Sequence, residues 1–337
     1  MTAFLTWCAV GLAAATAASV CVLAARRVLV ARSERRRIEA ETRLRPLALA
    51  LLEGDRVAVR ELPERDAEVL AALLGRLGRF LRGVSRERIA AFFDERGSVD
   101  RELRLLRSRR AWRRATAAFA LGDMGAPRTV PALLSVLDDP DGDVRAAAVR
   151  SLGRLAAADA VEPIVYALAD ARVPRAVAGQ ALLAIGPEAL PALRALQTAP
   201  EAEARAFAVE LVGLLGDASD GAPLVERLRD SSAEVRATAA RALGRLGAEE
   251  GAAELRVALD DRIPFVRGQA AHALGAVGDP AAVEDLLRVA RDDMFEPAHA
   301  AAQAAARLAP EVVRAAAARP GAGPHLHEAA DLMEARR

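Results

Sequence analysis

The sequence predicts an all-α protein: a right-handed α–α superhelical solenoid of stacked helical hairpins, preceded by one transmembrane helix. Three observations carry this. A block of Arg, small apolar residues and Leu-Gly-x-Leu-Gly recurs from residue 111 to about residue 309. Its Arg falls at Arg114, Arg145, Arg175, Arg205, Arg236 and Arg267, and its first-Gly position at 122, 153, 183, 213, 244 and 275; both advance by 31, 30, 30, 31 and 31 residues. Two markers drifting together define a fixed period, the signature of a stacked repeat. Finally, Ala3 to Ala25 is a run of 23 residues without a charge.

That first run spans about 34 Å as a helix, enough to cross the hydrocarbon core of a bilayer. Trp7 stands where an interfacial aromatic would sit, and Arg26, Arg27, Arg32, Arg35, Arg36 and Arg37 follow the run. The excess of Arg on that side places the N-terminus outside and the body in the cytoplasm, at the cell membrane. A cleaved secretory signal would need a positive segment before the apolar run, and none is present. Gly11 and Ala15 form a small-xxx-small pair suited to helix pairing. Cys8 and Cys21 both lie in this run, 13 residues apart, too far along one helix for a disulfide. The repeat body has no cysteine, which excludes thiolate metal sites and a cysteine nucleophile there.

Residues 26–62 read as a basic juxtamembrane segment. Arg26 to Arg45 carries a net charge of +5, suited to anionic lipid head groups or serving only as a stop-transfer signal. Residues 63–110 hold three apolar-periodic helical segments that act as a lead-in and cap. Leu74-Gly75-Arg76-Leu77-Gly78 repeats the motif there, and Ser98 is the expected N-cap of the third segment. From Arg101 to Arg114 the net charge is +6, with Trp112 inside the run. Arg104, Arg107, Arg109, Arg110 and Arg113 form its candidate basic patch. The whole chain is only +1, so everything outside these two segments sums to −10. An acidic body is repelled by nucleic acid, and no nucleic-acid partner is expected. The chain has no Lys at all, so its wealth of Arg reflects composition as much as function.

The solenoid occupies residues 111–318. In the unit that ends at Leu155, Pro131 opens a short helix carrying Leu133, Leu134 and Leu137, as proline is tolerated in a first turn. Asp138-Asp139-Pro140-Asp141-Gly142 breaks it, and Val144, Ala148, Leu152 and Leu155 then recur at helical spacing. Gly153 is expected to end that second helix. Neither helix can bury its apolar stripe alone, so the units must stack. Residues 319–337 form a loop and a short terminal helix.

Period and motif together resemble the HEAT repeat, in the short form found in phycobilisome-lyase-like proteins, over roughly 200 residues. The resemblance implies a ladder of Asp and Arg between units. Asp139, Asp230 and Asp261 each stand six residues before Arg145, Arg236 and Arg267. Arg205 has no such Asp, so a break is expected there. It also implies that second helices line the concave face. The fifth residue after each Arg position reads Phe119, Arg150, Gln180, Glu210, Arg241, His272 and Gln303. A column that varies inside a repeating frame suits recognition of one protein partner.

No catalytic constellation stands out, and no cofactor or metal site is expected. Iron-binding HEAT-like enzymes use several His-Glu dipeptides, whereas here only His327-Glu328 occurs; His325 and His327, read as a loop pair, are two ligands where a metal site needs more. The sequence therefore reads as a non-enzymatic, membrane-anchored scaffold or regulatory subunit. A lyase-like or cofactor-handling protein is the alternative that the resemblance implies.

Overall fold

The computed structural model describes residues 26–27, 34–35, 38–55, 61–292 and 294–335. These are helical throughout, with no strand among the described residues. The apolar run Ala3–Ala25, with Trp7, Cys8 and Cys21, lies outside them, as do Arg32, Arg36 and Arg37. Among the described residues no single helix is long and apolar enough to cross a membrane. The chain falls into two compact units, residues 1–132 and 133–337.

The first unit contains α1 (residues 38–53), α2 (Glu64–Gly78), α3 (Val84–Glu95), α4 (Ser98–Leu105) and α5 (Ala111–Met124). Leu70, Leu74, Ile89, Phe92, Val99 and Leu121 are buried at its centre. Phe92 and Phe93 meet edge to face at 5.3 Å. Ser98 does not cap α4. Gly97 takes that position in the left-handed conformation, φ 64°, and Ser98 is the first helical residue. Two arginines lock α2 and α3 onto α5. Arg79 binds Asp123 through Nε and Nη2 at 3.1 and 2.7 Å, and Arg86 donates to the carbonyls of Gly122 and Asp123 at 2.5 and 3.1 Å. Those carbonyls belong to the last turn of α5, whose unpaired acceptors favour a cation.

In the second unit short first helices alternate with longer second helices, each first helix introduced by a single 3-10 turn. α6 (Val130–Ser135) bridges the division between the units. The first helices that follow are α8 (Val161–Ala169), α10 (Leu190–Leu196), α12 (Gly221–Arg227), α14 (Ala252–Ala258) and α16 (Val283–Asp292). The second helices are α7 (Gly142–Arg154), α9 (Arg175–Ile185), α11 (Ala202–Leu215), α13 (Ala233–Leu246), α15 (Pro264–Val277) and α17 (Phe295–Leu308). α18 (Pro310–Ala317) and α19 (Pro324–Glu334) close the chain. Second helices pack on second helices, and α9, α11, α13, α15 and α17 are each backed by the first helix of their own hairpin. Leu133, Leu152, Ile164, Leu182, Leu193, Leu224, Leu243 and Leu255 are fully buried between these layers. Asp141 starts α7 by accepting the amides of Asp143 and Val144, which leaves Asp138-Asp139-Pro140 outside the helix.

The first glycine of the motif does not end its helix. Gly153 sits inside α7, and the left-handed residue beyond it is Ala156, φ 49°. The true left-handed ends are the second glycines, such as Gly247 and Gly278. The first glycine admits the next helix instead. A Cβ on Gly153 would stand 2.7 Å from the Ala181 Cα, one on Gly244 2.8 Å from the Ala273 Cα, and ones on Gly213 and Gly275 2.6 and 2.9 Å from the Cβ atoms of Ala242 and Ala304. Four Gly-against-Ala contacts thus set the spacing of the second helices. At the missing fifth, Leu183 and Leu211 occupy the equivalent positions. The α9–α11 joint is the sparsest in the stack, and its close approach moves to Gly179 against the Phe207 ring.

Candidate interaction surface

Three groups of polar residues stand out on this frame. The first is the Asp–Arg ladder. Arg205 binds Asp230 through Nε and Nη2 at 2.8 and 2.7 Å, and Arg236 binds Asp261 in the same way at 2.7 and 3.0 Å. Each Arg also donates Nη1 back into its own loop, Arg205 to the carbonyls of Ala199 and Pro200, Arg236 to those of Asp230 and Ser231. Arg145 and Arg267 make the same loop contact with the carbonyls of Asp139 and Asp261. Each Asp in turn accepts a backbone amide two residues on, Asp139 from Asp141, Asp230 from Ser232 and Asp261 from Ile263.

The ladder is therefore not interrupted at Arg205. The Asp six residues before an Arg serves the Arg of the preceding repeat, and Arg205 has its partner in Asp230. The departures fall one and two repeats earlier. Arg145 turns its Nε to the Arg172 carbonyl, and Arg175 pairs with Glu203 at 2.5 Å near the surface. The turn after α8 carries Ala171, left-handed at φ 52°, and Asp170 there pairs with Arg172 at 3.3 Å. Hydrogen bonds from Arg205 hold the Asp230 carboxyl below its usual range, against the opposing effect of burial. Burial acts most strongly on Asp261 and would raise it, but hydrogen bonds from Arg236 and from the Ile263 amide outweigh this, and it too is lowered.

The second group is the variable column. Phe119, Arg150, Gln180 and His272 are exposed, while Glu210, Arg241 and Gln303 are half-buried, all on second helices or on α5. Its members are not independent. Glu210 receives Arg241 at 2.9 Å and Arg245 at 2.8 Å, so the middle of the column is cross-tied from α11 to α13. Burial would raise the Glu210 carboxyl, but the two arginines hold it below its usual range. Although its side chain reaches solvent, the His272 imidazole is lowered by partial desolvation against its neighbours, helped by the charge of Arg307. Arg150 stands in an open cleft of about 620 Å³ that also exposes Arg145, Arg172 and Arg175, with Asp143 as its acidic member. In the first unit the Arg79 guanidinium covers the Phe119 ring at 5.3 Å.

The third group is the basic patch on α4, α5 and their link. Arg104, Arg107, Arg109, Arg110 and Arg113 are all exposed, and among the described residues none of them forms an ion pair. Trp112 beside them is 62% exposed and carries the Arg113 guanidinium over its ring at 5.3 Å. Sequence reasoning overlooked one further cluster. His325 and His327 lie in the first turn of α19, not in a loop, and they part company: His327 Nδ1 bonds the Gly323 carbonyl at 2.6 Å, while His325 turns toward His299 on α17.

Paired helices stacked through glycine–alanine contacts and tied by Asp–Arg rungs define a helical-repeat solenoid. HEAT repeats are matched over residues 102–183 and 221–307, just over half of the chain, and the protein belongs to the HEAT-repeat family. No curated protein matches the sequence. Among solved structures it is similar to human deoxyhypusine hydroxylase in complex with glycerol, 21% identical over 81% of this chain and 98% of that one, TM-score 0.33. It is also similar to an engineered protein, 20% identical over 84% of this chain and 81% of that one, TM-score 0.38. Yeast importin-beta (Kap95p) is 14% identical over 82% of this chain and 43% of that one, TM-score 0.48.

Proposed function

We propose that this chain is a non-enzymatic scaffold or regulatory subunit that binds a protein partner along its second-helix face. The observation that carries the reading is the division of labour among its arginines. Those at the repeat joints are spent on loop carbonyls, on carboxylates of the following repeat or on both, and Arg172 pairs with Asp138 and Asp170, whereas Arg150, in the same cleft as Arg145, Arg172 and Arg175, forms no ion pair among the described residues. An extended face of this kind is what helical-repeat arrays offer to a partner. A partner presenting a carboxylate to this cleft would gain bidentate, charge-assisted contacts.

The same proposal places the array at the cytoplasmic face of the cell membrane, held by the apolar run Ala3–Ala25. The Arg-rich segment that follows supports this orientation, and the unpaired basic patch suits contact with anionic head groups. Within the family, the period of 30–31 residues favours the short-repeat, lyase-like branch.

The test is capture from solubilised membranes with the full chain and with an Arg150→Glu/Gln180→Glu variant. Both positions are exposed, so the variant should melt like the parent. The expected result is one or more partners retained by the parent and lost from the variant. Identical captures would remove the second-helix face from the proposal.

A further inference from the structure

We propose that His299, His325 and Glu328 form a binding site for one divalent transition-metal ion of the zinc class, clamping α19 to α17. One ligand atom from each of the three residues lies within 4.8 Å of the others. His299 Nδ1 and Glu328 Oε2 are 3.4 Å apart. A tetrahedral ion with bonds of about 2.0–2.1 Å holds its ligand atoms about 3.3 Å from one another, so this pair already has the required separation. His325 and Glu328 lie three residues apart, on one face of α19, and His299 meets them from α17.

Two features set this cluster apart from an incidental surface ion pair. His325 Nδ1 is buried and has no hydrogen-bond partner, and an unpaired buried nitrogen is destabilising. A metal ion within reach would give the imidazole a partner. In addition, Phe295 contacts both rings, parallel to His299 at 5.8 Å and 5° and edge-on to His325 at 4.8 Å.

Gln303 completes the arrangement, with its side-chain amide 2.7 Å from His299 Nε2. An amide oxygen and nitrogen exchange places by a half-turn. With the oxygen toward the ring, Nε2 carries the proton and the Nδ1 lone pair faces Glu328. That is the tautomer a metal requires, set by a side chain outside the ligand shell. Two imidazoles and one carboxylate select Zn²⁺, Co²⁺ or Ni²⁺ over Ca²⁺ and Mg²⁺, which take all-oxygen shells. A fourth position is left for water or for a group from a partner. The positive end of α19 opposes a cation only weakly. His327 lies outside the cluster, and its Nδ1 bonds the Gly323 carbonyl.

The experiment uses the full chain, untagged, with Cys8→Ser and Cys21→Ser to remove thiolate ligands, stripped with chelator. It is titrated with Zn²⁺ by calorimetry and with Co²⁺ by visible absorption. One equivalent of Zn²⁺ is expected, together with the d–d absorption of four-coordinate cobalt and a rise in melting temperature. Glu328→Gln, at an exposed position, should weaken binding by at least about tenfold, and His325→Ala by more, while His327→Ala leaves it unchanged. Zn²⁺ affinity within twofold in parent and Glu328→Gln, or no cobalt d–d band in the parent, overturns the proposal whether or not the His variants fold.

Discussion

Arg205 and Asp230 lie 25 residues apart in sequence and form a two-point ion pair across the joint between consecutive repeats. Their side chains are only 12% and 5% exposed. Truncating one partner of such a pair strands a buried charge, at a cost of about 3–5 kcal/mol. Asp230→Ala should therefore destabilise the chain by about that amount. Glu203→Ala removes the exposed partner of Arg175 and should cost less than about 1 kcal/mol. Chemical denaturation of the two variants checks both figures, and equal losses would show that the rungs contribute no more than surface pairs do.

Acid should release the ladder. Asp230 and Asp261 are both held below their usual range in the folded chain. A depressed carboxyl contributes stability that is complete above its unfolded pKa, about 3.9, and is lost as pH falls through the lower folded value. The melting temperature should thus be insensitive to these two groups from neutrality to about pH 5. It should drop steeply below about pH 4, with a shallower acid limb in Asp230→Asn/Asp261→Asn. The same acid limb in parent and double variant would assign the loss to other groups.

Two glycines on neighbouring second helices should answer the same substitution with opposite signs. Alanine is the better helix former by about 1 kcal/mol. A Cβ on Gly268 would have nothing closer than 3.9 Å, so Gly268→Ala should stabilise by up to about 1 kcal/mol. On Gly244 the same atom would stand 2.8 Å from the Ala273 Cα, and overpacking of this kind costs about 1–3 kcal/mol. Gly244→Ala should be destabilising. A stabilised Gly244→Ala would mean that the helices part without cost.

The basic patch should respond to anionic surfaces. Arg104→Glu/Arg107→Glu/Arg110→Glu changes three exposed residues that make no ion pair among the described residues, so folding should be unaffected. Each Arg near an anionic leaflet is worth about 1 kcal/mol. Flotation of the full chain with vesicles containing phosphatidylglycerol should fall in the variant and in high salt. Flotation that ignores both would leave the patch without this role.

The period alone made the hairpins legible, because a 30–31 residue step leaves room for two short helices and little else. Interfaces were harder to read. An Asp six residues before an Arg looks like that arginine's partner, yet the loop folds so that the Arg reaches the carbonyl and the Asp faces the preceding repeat. The offset of 25 residues, from Arg205 to Asp230 and from Arg236 to Asp261, was present in the sequence but gains meaning only once the units are stacked. Glycine was similarly ambiguous, since one letter serves both a helix end and a close approach. The alanines 28 or 29 residues after Gly153, Gly213, Gly244 and Gly275 separate the two uses. His299 and His325 are 26 residues apart, and no local pattern reveals that α19 folds back onto α17.

Leu183, standing where the other repeats place glycine, has a mechanical meaning. A chain of identical springs stretches evenly, but one with a softer link extends there first. Under tension between its ends the array should yield at the α9–α11 joint, with the rungs from Arg205 onward still closed. Amides on either side of that joint should exchange with solvent sooner than those deeper in α13 or α15. Leu183 thus marks the joint of the second unit at which bending is expected first.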